Sequence, residues 1–143
     1  MPLKRTSYVG YDTIYHLGWA PKERRWIVRE DIRRHLEPVF RQIAEDFGFE
    51  LVEWGVAKEH VHVFLNCPPR YSIAKGVGIL KRISARQVFR EYPELKKHLR
   101  KHAFWEEGYL VRTVGDAVTA AVVQRYIRYH RHEEHEAKPL KLF

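Results

Sequence analysis

Cysteine occurs once in the chain, as Cys67, and that scarcity removes two function classes at the outset. A disulfide framework needs a second thiol, and a cysteine-based zinc site needs several. Long apolar runs are missing too: no segment approaches the roughly 18 residues needed to cross a bilayer. The opening MPLKRTSYVGYD also lacks the apolar stretch of a secretory signal. A soluble, cytoplasmic protein in a reducing setting, with no membrane association, is expected. Aspartate is sparse: Asp12, Asp31, Asp46 and Asp116 each fall near the edge of an expected element, a poor basis for a two-metal carboxylate nuclease. There is no GxxxxGK loop for nucleotide hydrolysis and no GxSxG elbow for a serine hydrolase.

Positive charge, by contrast, is plentiful. Lys and Arg total 26 against 18 acidic residues, a formal net charge of +8 and a sequence pI near 9.7. Such a balance favours polyanionic partners, nucleic acid ahead of a membrane surface. With 143 residues and neither repeat nor linker, the chain reads as one domain, 1–143, large enough to bury a core without staples.

Hydrophobic periodicity sets the element order. TIYHLGWAP (13–21) mixes β-branched and aromatic residues and stops at proline, so it reads as a strand, followed by a basic loop PKERR. From Val28 to Phe47 the apolar residues Ile32, Leu36, Val39, Phe40, Ile43, Ala44 and Phe47 recur at helical spacing, with Pro38 expected to kink or split the helix. FGFELVEWGVA and HVHVFLNC suggest an antiparallel hairpin over 49–67. Ser72 is a fitting N-cap for a second helix to Tyr92, and PELKKHLRKHAF reads as a short helix or ordered loop. FWEEGYLVRTVG (104–115) has an aromatic strand's composition with a turn at Glu107-Gly108, and Asp116 caps a last helix. The order β, α, β, β, α, β, α predicts an α+β fold: a ferredoxin-like or RRM-like antiparallel sheet with helices on one face, plus a C-terminal helix.

KEHVHVFL (58–65) carries the first chemical signal. On a strand Val61, Val63 and Leu65 point one way, while His60, His62 and Phe64 point the other. Two imidazoles two residues apart can share one ion, yet an HxH pair is equally compatible with half-buried sheet residues bonded to their neighbours. On the last helix, QRYIRYHRHEEH sets Tyr126 and His130 four residues apart on one face. A metal held by His60, His62 and His130 would polarise a phosphodiester beside Tyr126; a solvated basic helix is the plainer reading of the same residues. Tyr129 is the rival nucleophile, facing about 60° away from that side of the helix.

These residues resemble the single-tyrosine HUH transposases, the TnpA type of the smallest bacterial and archaeal insertion sequences. His60-Val61-His62 matches the histidine motif, and Tyr126 on a late helix with a polar residue at i+4 matches the nucleophile segment. YHLGWAPKERR resembles the family's YHxVWxPKYRR, and SIAKGVGILKRISARQVFREYPELKK its LKGxSSRxLFxxFPxLKK. FWEEGYLVRTVG resembles FWxxGYFVxTVG, and VVQRYIRY resembles xxxYIxxQ. The likeness covers nearly the whole chain. One departure stands out: the family commonly has glutamine four residues after the tyrosine, where this chain has His130, with His132 and His135 as substitutes.

The resemblance implies that Tyr126 attacks single-stranded DNA, forms a 5′-phosphotyrosine and frees a 3′-hydroxyl that later rejoins strands. It implies a divalent metal, Mn²⁺ or Mg²⁺, on His60, His62 and His130. Three imidazoles suit Mn²⁺ better than the oxygen-preferring Mg²⁺. It also implies DNA hairpins as partners and a homodimer in which the tyrosine helix of one subunit can complete the histidine site of the other, with the cis or trans arrangement left open. Lys22, Arg24, Arg25, Lys75, Lys81, Arg82 and Arg86 form a basic group fit to neutralise phosphates. The competing class is a non-catalytic or domesticated RRM-like nucleic-acid-binding protein, which needs neither the histidine pair nor Tyr126. A third option is a related enzyme that nicks host repeats.

Overall fold

A computed structural model describes residues 4–5, 10–11, 13–57, 59–99 and 103–114. Two short strands, β1 (Lys4–Arg5) and β2 (Gly10–Tyr11), pair with each other apart from the main sheet. The main sheet comprises β3 (Ile14–Trp19), β4 (Glu50–Ala57), β5 (His60–Asn66) and β6 (Leu110–Thr113), in the order β4-β5-β3-β6. Every pairing is antiparallel. The helices are α1 (Arg25–Val28), α2 (Glu30–Phe47) and α3 (Ile73–Glu91), and a 3₁₀ turn follows at Pro93–Lys97. This is the expected split βαβ arrangement, in which the first and third main strands lie side by side at the centre. The last helix expected from Asp116 lies outside the described residues.

The core lies between one face of the sheet and α2 with α3. From α2 it takes Ile32, Leu36, Phe40 and Ile43, from α3 Val77, Leu80 and Val88, and from the strands Leu17, Trp19, Trp54, Val56, Val61, Val63 and Leu65. Strict alternation in β4 would turn Leu51 away from Trp54 and Val56. A bulge between Leu51 and Glu53 rephases the strand, so Leu51 also packs against the core.

Helix α2 runs unbroken through Pro38, so of the expected kink or split the split does not occur. Pro38 and Arg34 are both exposed, so water can satisfy the Arg34 carbonyl that loses its partner. The break falls earlier, at Arg29, whose extended backbone (ψ 126°) separates α1 from α2 inside the expected loop and helix start. At its other end Gly48 adopts φ 73°, and the bonds from Gly48 N–H to Glu45 O and from Phe49 N–H to Ala44 O close the helix. The Arg70 guanidinium also donates to Phe47 O at 3.0 Å. Ser72 caps α3 as expected, its hydroxyl accepting from Lys75 N–H at 3.1 Å.

The segment 104–115 is strand only at Leu110–Thr113. Trp105 instead forms a lone antiparallel bridge to Pro21, and Gly108 turns with φ 87°. Buried aromatic rings hold this stretch in place: Trp105 meets Trp19 edge-on at 5.9 Å and Phe104 at 4.6 Å between centroids. Packing, not ladder pairing, accounts for its aromatic composition.

Candidate active site on the histidine face

The pleat of β5 sends Val61, Val63 and Leu65 into the core, so His60, His62 and Phe64 share the opposite face. The predicted histidine pair is therefore brought together, with ring centroids 6.4 Å apart and planes inclined by 45°. His62 is buried, 2% exposed, while His60 is half-buried. In register beside His62 stand Gly18 on β3 and Gly55 on β4, and beside His60 stands Ala57. Residues without bulk flank the imidazoles on both sides, leaving this strip of sheet to the rings.

Sequence reasoning overlooked a third imidazole. His16 on β3 lies opposite Phe64 in the ladder, 4% exposed, with its ring stacked on that phenyl at 4.6 Å and 6°. Its Nε2 lies 2.9 Å from His62 Nδ1, a hydrogen bond between side chains 46 residues apart. The interior glycines Gly18 and Gly55 were the available sequence signal, since glycine within a strand marks close approach of other groups.

His60 also borders a cavity of about 250 Å³ lined by Gly18, Trp19, Ala20 and the segment Glu106–Leu110. Lys81, reaching from α3, shapes that rim: its ammonium donates to Glu106 O at 2.7 Å and Gly108 O at 3.0 Å. Burial pulls its pKa below the ordinary lysine value, and nearby Glu107 and Glu106 act against that shift.

The remaining basic group divides in two. At the end of β3, Lys22 is half-buried, Arg24 lies 4.0 Å from the Glu59 carboxylate, and Arg25 pairs with Glu23 at 2.9 Å while covering the Trp26 ring. Along α3, Lys75, Arg82 and Arg86 are exposed.

The donors suit a transition-type or borderline divalent ion, for which neutral imidazole is a common ligand. Two imidazoles on one ion, with bonds of about 2.0–2.3 Å, place their centroids about 5 Å apart. The observed centroid separation is 6.4 Å. Among the described residues no three His, Cys, Asp or Glu side chains converge on a common point. Tyr126 and His130 both lie outside the described residues. No helix among the described residues is long and apolar enough to cross a membrane.

Comparison with known proteins connects this geometry to a biological activity. Residues 9–130 match the family described as IS200-like transposase. The chain is 34% identical over 131 residues to the ISDra2 transposase TnpA of Deinococcus radiodurans, spanning 92% of each chain. It is 29% identical over 139 residues to the transposase for insertion sequence element IS200 of Salmonella typhimurium, spanning 97% of this chain and 90% of that one. A crystal structure ascribed to a Deinococcus radiodurans transposase superposes with a TM-score of 0.68 at 35% identity, over 89% of this chain and 96% of that one. A REP-associated tyrosine transposase bound to a REP hairpin shares the fold, with a TM-score of 0.57 at 15% identity over 99% of this chain and 77% of that one.

Sheet topology, the histidine strand and these likenesses together define a DNA transposase of the single-tyrosine HUH class. Within that class, the chain belongs to the IS200-like transposase family.

Proposed function

We propose that this transposase cuts and rejoins single-stranded DNA through Tyr126, with His60, His62 and His130 holding a divalent cation, Mn²⁺ or Mg²⁺. The observation that carries the reading is the pairing of His60 and His62 on one face of β5, in a chain of this family. When bound, the cation draws charge from the phosphate and eases departure of the 3′ oxygen. Tyr126 Oη gives up its proton and bonds to phosphorus. The phosphorus–O3′ bond breaks, and the departing oxygen takes up a proton as a free 3′-hydroxyl. A phenol's ordinary pKa is about 10, so the site has to favour that proton's loss. Because the diester is exchanged for a 5′-phosphotyrosine, no ATP is consumed. A second 3′-hydroxyl then attacks the phosphotyrosine, the bond to Oη breaks, and Tyr126 is restored.

The DNA proposed is a hairpin at each end of the element. A REP-associated tyrosine transposase of the same fold is bound to a REP hairpin, which supports the reading. The basic residues Lys22, Arg24, Arg25, Lys75, Lys81, Arg82 and Arg86 would neutralise its phosphates as a group. The working unit proposed is a homodimer, with one subunit's tyrosine completing the other's histidine site.

The test mixes the protein with labelled single-stranded hairpin oligonucleotides and Mn²⁺ or Mg²⁺, then looks for an adduct that survives denaturation. Tyr126→Phe should abolish it and Tyr129→Phe should keep it. An adduct persisting in Tyr126→Phe refutes the nucleophile. Cleavage by His60→Ala at the parental rate refutes the cation site. Hairpin binding without an adduct under either cation returns the protein to the non-catalytic class.

A further inference from the structure

We infer that His16 is a positioning residue for the histidine site: it accepts a hydrogen bond from Nδ1–H of His62 and thereby fixes His62 in the tautomer that ligates through Nε2. The inference builds on the cation reading proposed above. Its geometric basis is the 2.9 Å approach of His16 Nε2 to His62 Nδ1. A neutral imidazole has one N–H and one lone pair, so only two arrangements fit that bond. If His16 donated, His62 would carry its proton on Nε2, and neither of its nitrogens could bind a cation. If His62 donates, its Nε2 becomes the ligating nitrogen. A metal-bound histidine almost always donates its other N–H to a neighbouring acceptor, which fixes the ring's orientation and raises the basicity of the ligating nitrogen.

The surroundings suit an acceptor held in one place. The His16 ring is stacked flat on Phe64 and buried, so it cannot swing away without breaking that contact. Gly18 next to His62 in the ladder adds no side chain that would part the two rings. A lone hydrophobe at position 16 would fill the space equally well; an imidazole there supplies the one thing a hydrophobe lacks, an acceptor for His62.

The test uses the full chain as wild type, His16→Leu and His16→Gln. The glutamine carbonyl retains an acceptor, and leucine does not. Mn²⁺ binding is followed by electron paramagnetic resonance, and the His62 tautomer by two-bond ¹⁵N–¹H correlation in the metal-free wild type. Expected are an Nδ1–H tautomer for His62, Mn²⁺ affinity lowered by about 10- to 100-fold in His16→Leu, and substantial recovery in His16→Gln. An Nε2–H tautomer overturns the inference, as does wild-type affinity in a folded His16→Leu. If His16→Leu fails to fold, the tautomer measurement still decides. A wild type that binds no Mn²⁺ removes the cation reading itself, and this inference with it.

Discussion

Replacing Ser84 by alanine should loosen the rim of the histidine site from the inside of the protein. Ser84 lies on α3 and is completely buried; its hydroxyl accepts from Trp105 Nε1 at 2.9 Å and donates to Lys81 O at 3.2 Å. Trp105 is 5% exposed, and its bridge to Pro21, with Glu106 N–H donating to Ala20 O at 2.8 Å, ties the cavity rim to the end of β3. In Ser84→Ala the indole N–H stays buried and loses its acceptor, a penalty of about 1–3 kcal/mol. For a domain near this size that lowers the melting temperature by about 3–10 °C. Thermal and urea unfolding of wild type, Ser84→Ala, Trp105→Phe and the double variant give the coupling directly. Phenylalanine has no N–H to strand, so Ser84→Ala should cost far less in the Trp105→Phe background, with a coupling of about 1 kcal/mol or more. Equal costs in both backgrounds, or no measurable cost in the wild type, would refute the reasoning.

Other substitutions probe the scaffold. A Cβ at Gly78, inside α3, meets nothing within 4 Å, so Gly78→Ala should stabilise by about 0.5–1 kcal/mol in urea unfolding; destabilisation would show that the site is not open. The Arg29 guanidinium bonds the Asp31 carboxylate at 3.0 and 2.6 Å and, with the Ile32 N–H, holds its pKa below the ordinary 3.8. A depressed carboxylate contributes stability above its unfolded-state pKa and loses it as pH falls through the folded value. The advantage of wild type over Asp31→Asn near neutrality should therefore shrink as pH falls below about 3.8 and vanish once it is below the folded-state pKa, and a gap that widens there would contradict the pairing. Cys67 is 3% exposed and burial raises its thiol pKa, so native-state labelling with a disulfide reagent should be slow and track denaturant-induced opening; prompt labelling would contradict its burial.

Much of this organisation was legible in the chain because it depends on local periodicity. The alternation in HVHVFL placed both histidines on one face, the helical spacing from Ile32 to Phe47 marked the core side of α2, and Ser72 marked the start of α3. Family resemblance assigned the class where composition offered only a basic protein of modest size. Pro38 does not split α2, because the rule against proline in helices says nothing about which side of the helix faces water. The turn at Glu107-Gly108 was legible, but Phe104 and Trp105 read as strand because aromatic residues favour strands and buried edge-to-face clusters alike.

What the sequence by itself determined was the position of the main strands and of the two long helices and the face on which His60 and His62 emerge, because these follow from periodicity over a few residues. The tertiary structure decided which faces meet. His16 reaches His62 only because β3 and β5 pair in one particular register, and a shift of one residue would turn His16 into the core. Lys81 belongs to the basic group read from the sequence, and only the folded chain brings its ammonium to the carbonyls of a rim 25 and 27 residues away. Contacts between distant segments arise from the global packing of hydrophobic faces, which no local pattern encodes.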